Sequence, residues 1–295
     1  MVLGSPIKNG FDLANSIIPV KQILSGGPPR DGIPSIDKPK FVEANKADYL
    51  KSKDRVIGII VDGEARAYPI RILNWHEIVN DKIKGKSVAV TFCPLCGSGI
   101  VYAADFNNKP HRFGVSGLLY NSDVLLYDRE TETLWSQILS KGISGKLVNQ
   151  KLEIIPSSHT SWSAWKNRYP KTKVLSTDTG FRRDYNRTPY GSYTKNTSIY
   201  FPMEFKSKKY HPKERVLGIT INGKSKVYPF SELSKLDKNT LKDKFEGEKL
   251  HLEFDSENRD GVIKDDTGKI LASVNTFWFA WYAFHPKAVI YKRTK

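Results

Sequence analysis

The chain has 295 residues, long enough for one large domain or two modest ones with cores of their own. Hydrophobic residues make up 39% and charged residues 26%, the balance of an ordinary globular chain and not of a disordered or fibrous one. The formal net charge of +16 favours anionic partners such as nucleic acid, acidic polymers or a membrane surface, or else a basic solvated face; no RNA-binding sheet motif, finger pair or basic heptad helix goes with it.

The basic residues gather in two stretches. Residues 166–195 carry eight Lys/Arg against two Asp, and residues 206–215 carry five against one Glu. Residues 1–20 lack the basic start and apolar core of a secretory signal. The longest apolar run, residues 277–284, is too short to span a bilayer, so no transmembrane segment is expected. Two cysteines in one close pair exclude a multi-disulfide scaffold and suit a cytosolic protein or a trimmed exported one. Asn186 and Asn196 begin glycosylation triplets, a pattern frequent by chance.

Taken in order, residues 1–45 read as a turn-rich arm, with Gly26-Gly27-Pro28-Pro29 and Asp31-Gly32-Ile33-Pro34 at its centre, able to wrap the domain that follows. Residues 55–61 read as a buried strand, Asp62-Gly63 as a hairpin turn and residues 64–68 as its return. Pro69 suits the first turn of a short helix continuing through Trp75, His76, Glu77, Ile78 and Val79, which would put Asn80 on the face of His76. Residues 88–102 read as strand, tight turn, strand. The turn holds both cysteines, Cys93-Pro94-Leu95-Cys96, and Gly97 is expected to take a positive φ beneath them. Residues 113–123 are glycine-poised and polar at their end; residues 124–127 and 133–137 read as strands joined by a turn. Thr160 is the expected N-cap of a short helix carrying Trp162 and Trp165, stopped near Pro170.

The chain repeats itself. Arg55-Val56-Ile57-Gly58-Ile59, Gly63, Tyr68, Pro69 and Leu73 recur 160 positions on as Arg215-Val216-Leu217-Gly218-Ile219, Gly223, Tyr228, Pro229 and Leu233. Thr160, Trp162, Ala164, Trp165 and Pro170 recur as Thr276, Trp278, Ala280, Trp281 and Pro286. The expected fold is therefore a β-rich α+β protein of two unequal, closely packed copies of one unit with short helices: 1–45 the arm, 46–200 the first copy, 201–295 a degenerate structural copy. Trp75-His76-Glu77 and the stretch from Cys93 to about Gln137 have no counterpart in the second copy, where Asp255 aligns with Cys93. The first copy should carry the site.

Trp75-His76-Glu77-Ile78-Val79-Asn80-Asp81, Phe92-Cys93-Pro94-Leu95-Cys96-Gly97, residues 113–123 and Tyr127-Asp128-Arg129-Glu130-Thr131 together resemble an uncharacterised prokaryotic domain-of-unknown-function family, over most of residues 25–200. The resemblance implies no particular activity. It implies an extracytoplasmic place for many members, which an absent export signal would set this chain apart from.

The Cys-X-X-Cys turn fits a zinc knuckle first, and behind it a redox or nucleophilic thiol or a purely structural pair. As a metal site it needs further ligands. His76 is the expected third, His111 and Asp128 being alternatives. Zinc ranks ahead of copper because the only internal methionine is Met203. Ser116, Tyr120, Asn121, Ser122 and Asp123 either line a polar pocket for a cofactor or small molecule, or satisfy a buried turn. The leading expectation is a metal-binding protein with its reaction open. The rivals are a thiol-dependent enzyme or thiol–disulfide oxidoreductase, with His76 as base and Glu77 or Asp81 orienting it, and a basic module for anionic polymers. Arg182, Arg183 and the tyrosines near them read as a solvated loop or an anion site.

Overall fold

The first long strands form the predicted hairpin. Arg55–Val61 (β1) and Glu64–Pro69 (β2) pair antiparallel, with Val61 opposite Glu64. Asp62 and Gly63 take φ of +46° and +79°, which a type I′ turn requires of both central residues. The structure is a computed structural model and describes residues 6–106 and 108–293.

Pro69 precedes α1 (Ile70–His76) as expected, but the helix is shorter than predicted. Glu77 swings to φ +57° and its N–H closes on the Leu73 carbonyl, which ends the helix. Ile78 and Val79 instead open β3 (Ile78–Ile83), opposite Thr91 and Val90. Their β-branched side chains pack better on a pleated sheet than against a helical turn. Asn80 consequently shares no helix face with His76; its side chain bonds both the N–H and the carbonyl of Phe113.

Lys86–Cys93 (β4) and Ser98–Ala103 (β5) are the predicted strands around the cysteine turn, with Cys93 opposite Ser98. Gly97 has the predicted positive φ, +60°, and a Cβ there would stand 2.7 Å from the Phe277 ring. Phe113–Tyr120 (β6) and Asp123–Asp128 (β7) make a second hairpin, turned by Asn121 and Ser122 at φ +50° and +69°. The arm adds Ile23–Ser25 to its open edge, and Asp31 holds it down by a main-chain bond to Val115 and an ion pair with Arg129.

Ser157–Ser161 (β8) runs antiparallel to β1 and leads into α2 (Trp162–Arg168). The N-cap is Ser161, the last residue of β8, whose hydroxyl accepts the Ala164 N–H; Thr160, the expected cap, stands one residue before it. Trp165 lies over Gly58, where a Cβ would come within 2.3 Å of the indole. Lys173–Leu175 (β9) pairs parallel to β2.

Farther on come Arg215–Ile221 (β10), Lys224–Pro229 (β11), α3 (Phe230–Leu233), and the meander Thr240–Phe245 (β12), Glu248–Asp255 (β13) and Asp260–Lys264 (β14). Val274–Phe277 (β15), α4 (Trp278–Phe284) and Val289–Ile290 (β16) follow. β15 is antiparallel to β10 and β16 parallel to β11, as β8 and β9 are to β1 and β2. Trp281 covers Gly218 as Trp165 covers Gly58. Tyr228 donates to Asp243 as Tyr68 donates to Asp81, and Lys226 pairs with Asp243 as Arg66 pairs with Asp81.

The two regions share a sheet. Asn275 of β15 pairs with Gly99 of β5, so β3, β4 and β5 continue into β15, β10, β11 and β16. The cysteine turn sits on this seam, where the Phe277 N–H and the Thr276 hydroxyl both donate to the Cys96 carbonyl. Around it is a core that includes Trp135, Tyr193 and Trp278. The fold is thus β-rich with a few short helices, and among the described residues no helix is long and apolar enough to cross a membrane.

Candidate functional site

Two tight turns meet inside the protein. The first holds Cys93 and Cys96, whose N–H points at the Cys93 Sγ at 3.4 Å. The second is the Asn121-Ser122 turn, whose Ser122 carbonyl accepts the Cys96 thiol at 3.3 Å. Asp123, the residue after that turn, therefore arrives beside the sulfurs. The two Sγ atoms and an Asp123 carboxylate oxygen all lie within 4.8 Å of one another. Both cysteines are free thiols, and all three residues are buried, at 1% exposure or less.

Their environment opposes charge. Burial pushes the Asp123 carboxyl up to about 7, although the Ile138 N–H donates to its Oδ2. Its Oδ1 has no hydrogen-bond partner among the described residues. Burial also pushes both thiols up, Cys96 furthest, and the Asp123 carboxyl adds to the shift at each.

The other expected residues go elsewhere. His76 is not in this group. Its Nδ1 donates to the Pro34 carbonyl at 2.8 Å and its Nε2 accepts from the Tyr185 hydroxyl at 2.7 Å, so both nitrogens are spoken for in the core. The Ser116 hydroxyl donates to Leu125 and accepts from Leu118, inside its own hairpin. Asn121 spans the Ala283 carbonyl and the Glu204 N–H, and Tyr120 packs edge-on to Phe284. Ser122 is buried with its hydroxyl unpartnered. Of these five side chains only that of Asp123 reaches the sulfurs, Ser122 meeting Cys96 through its main-chain carbonyl; Ser116 and Asn121 satisfy the hairpin and anchor it. His111, Asp128 and Glu130 form a separate group, where Asp128 already accepts from Thr131 and from the Trp135 indole and so closes a turn.

The sequence matches, over residues 30–267, the family described as "Protein of unknown function (DUF3179)". The chain belongs to this family. The match runs well past residue 200, so it takes in the β10–β14 region as well as the cysteine turn and Asp123. Comparison with curated proteins and with solved structures gave no match. Since the DUF3179 description names no reaction, the chemistry has to come from the geometry.

Three further residues lie near the sulfurs: Glu77, which the sequence marks only as an orienter of His76, and Tyr190 and Tyr193, which stood out little. Tyr193 is fully buried, its hydroxyl has no partner among the described residues, and its pKa is driven up by burial and then by the two cysteines. Glu77, held by its positive φ at the end of α1, accepts from Tyr190 at 3.1 Å, and burial raises its carboxyl to about 7. Glu77, Tyr190 and Leu95 of the cysteine turn border an otherwise apolar cavity of about 330 Å³. Tyr190 and Tyr193 lie in a polar, turn-rich stretch that reads as solvated loop. Its unusual number of tyrosines is the one signal that it packs inward.

Proposed function

We propose that Cys93, Cys96 and Asp123 hold a metal ion, zinc ahead of copper. One observation carries this reading: three acidic groups converge in the core, all with their charged forms disfavoured, and one carboxylate oxygen has no partner. Such a group is costly to bury unless something offsets it, and a divalent cation would turn all three from liabilities into ligands. Two thiolates and a carboxylate suit zinc. Copper(I) would prefer a third soft donor. Three protein ligands leave a fourth position on zinc for water or substrate, the pattern of catalytic zinc sites.

The second region supports a purpose for the sulfurs beyond folding. We read residues 46–200 and 201–295 as two copies of one unit behind the arm of residues 1–45, on the strength of the matched strands, tryptophans and Tyr–Asp pairs. In the second copy the turn between β13 and β14 keeps the bond of the first: Asn258 N–H donates to the Asp255 Oδ1 at 2.9 Å, where Cys96 N–H meets the Cys93 sulfur. The turn needs an acceptor there, and a carboxylate serves.

A second reading draws on Asp123 itself. A buried carboxyl near pKa 7 beside two thiols can accept the proton released when a dithiol attacks a disulfide. Metal analysis of protein purified without chelator separates the two. Stoichiometric zinc, lost in Cys93→Ser, Cys96→Ser and Asp123→Asn, is the expected result. Metal-free protein in which one cysteine alkylates rapidly would overturn the metal reading in favour of the dithiol.

A further inference from the structure

A second cavity, of about 380 Å³, also borders the cysteine turn, through Pro94 and Gly97. Five cations line it: Arg55, Lys195, Lys213, Arg215 and Arg259. No carboxylate does, and among the described residues none of the five belongs to an ion pair. The fields of Asp260 and Asp255 reach Arg55, but Asp260 is paired with Arg168 and Asp255 accepts from Asn258 through both oxygens. Elsewhere in the same units basic side chains at comparable depth are matched, Arg66 with Asp81 and Lys226 with Asp243.

Three of the cations, Arg55, Lys213 and Arg215, are held in place by neutral acceptors. Arg55 and Arg215 head β1 and β10, and each reaches across to a turn of the other region. Arg215 Nη1 donates to the Gly97 carbonyl at 2.8 Å, while Arg55 donates to the carbonyls of Asn258 and Arg259. Lys213 Nζ donates to the carbonyls of Tyr193, Asn196 and Ser198. These bonds fix the side chains without cancelling their charge. The surplus is felt nearby. Burial lowers Arg55 to about 10, with Arg259 adding to the fall, and Arg215 is driven down by burial, then by Arg55 and Arg259. His159, buried with both ring nitrogens unpartnered among the described residues, is pushed well down by burial and then by the same three arginines.

We infer that this cavity binds a small molecule through an oxyanion group, a phosphate or a carboxylate. Guanidinium groups present paired N–H donors that match such oxygens, and an anion here would relieve a repulsion the protein otherwise carries. The volume is that of a small-molecule site, and Phe92, Phe277 and Tyr190 give an apolar wall for the rest of the ligand. The inference does not depend on the metal centre, and its readout is separate from metal content.

The test uses the full chain at low ionic strength, titrated with inorganic phosphate, pyrophosphate and citrate, with sodium chloride at matched ionic strength as the control. Calorimetry and thermal melting should detect saturable binding of at least one oxyanion at millimolar concentration or below, weakened by added salt. A preference for the phosphates or for citrate tells which group the site takes, and either supports the inference. Lys195 and Arg259 are exposed, so Lys195→Ala/Arg259→Ala should melt as the parent does while binding about tenfold more weakly. Melting shifts that chloride reproduces, binding undiminished in the double variant, or binding of an oligonucleotide alone would each overturn it.

Discussion

Glu77 takes φ +57°, a conformation a non-glycine residue adopts at some cost, and the strain sets its carboxyl, itself buried, at the wall of the apolar cavity. That placement predicts a pH effect. The folded pKa, about 7, lies above the ordinary glutamate value, so the folded protein holds this proton more tightly than the unfolded chain does. The contribution favours folding while the group is protonated and is lost as pH rises through the interval up to about 7, at a cost of about 3 kcal/mol once complete. Glu77→Gln should remove that slope. The check is melting of parent and variant between pH about 5 and about 8, read as a difference so that the slope from Asp123 cancels; parallel curves would rule the effect out. Its neighbour His76 has a structural part. His76→Ala should lower stability by roughly 1–3 kcal/mol, because it strands the Pro34 carbonyl and leaves the Tyr185 hydroxyl with Thr179 alone. Metal content per folded protein should not change, and a loss of metal would return His76 to the ligand set.

At the scale of elements, the tryptophan helices depend on two glycines. Gly58 in β1 and Gly218 in β10 let Trp165 and Trp281 lie flat on the strands, with 2.3 Å between each indole and the place of a Cβ. The indoles are part of the core and cannot retreat far, so Gly58→Ala and Gly218→Ala should each cost about 2–3 kcal/mol, and by similar amounts. Denaturant melts of both variants test this. If one glycine tolerates alanine freely, the two helices are not equivalent supports. The helix boundaries show how far local signals reach. Pro69 and the apolar spacing place the start of α1, but its end rests on Glu77 turning left-handed, and Ile78 and Val79 follow the sheet because β4 is there to pair with. The N-cap of α2 differs from expectation by one residue, because β8 runs on to its last pair, Ser161 with Arg55, and it is the Ser161 hydroxyl that reaches the Ala164 N–H.

For the whole molecule, the seam between β5 and β15 predicts joint unfolding. A fragment of residues 1–200 would lose Phe277, Thr276 and Arg215, which hold the Cys96 and Gly97 carbonyls, and would uncover the Gly99 end of β5, whose other end stays paired with residues 154–155. It should aggregate or melt without cooperativity and should retain no metal. A soluble fragment with a sharp transition would show that the first region stands alone. What the sequence determined by itself was local or periodic: the Asp62-Gly63 hairpin, the strand, turn and strand around Cys93 and Cys96, the positive φ of Gly97, and the recurrence of Arg55 to Leu73 as Arg215 to Leu233. Each depends on a residue's own φ preference, on β-branching, or on a pattern laid against itself. What only the tertiary structure decided was convergence. Asp123 and not His76 stands by the sulfurs because a hairpin turn meets a sheet turn. Arg55 and Arg215, 160 residues apart, share a cavity because two separate strands begin at the same seam. Such meetings are fixed by how sheets close on one another, and no local preference along the chain records them.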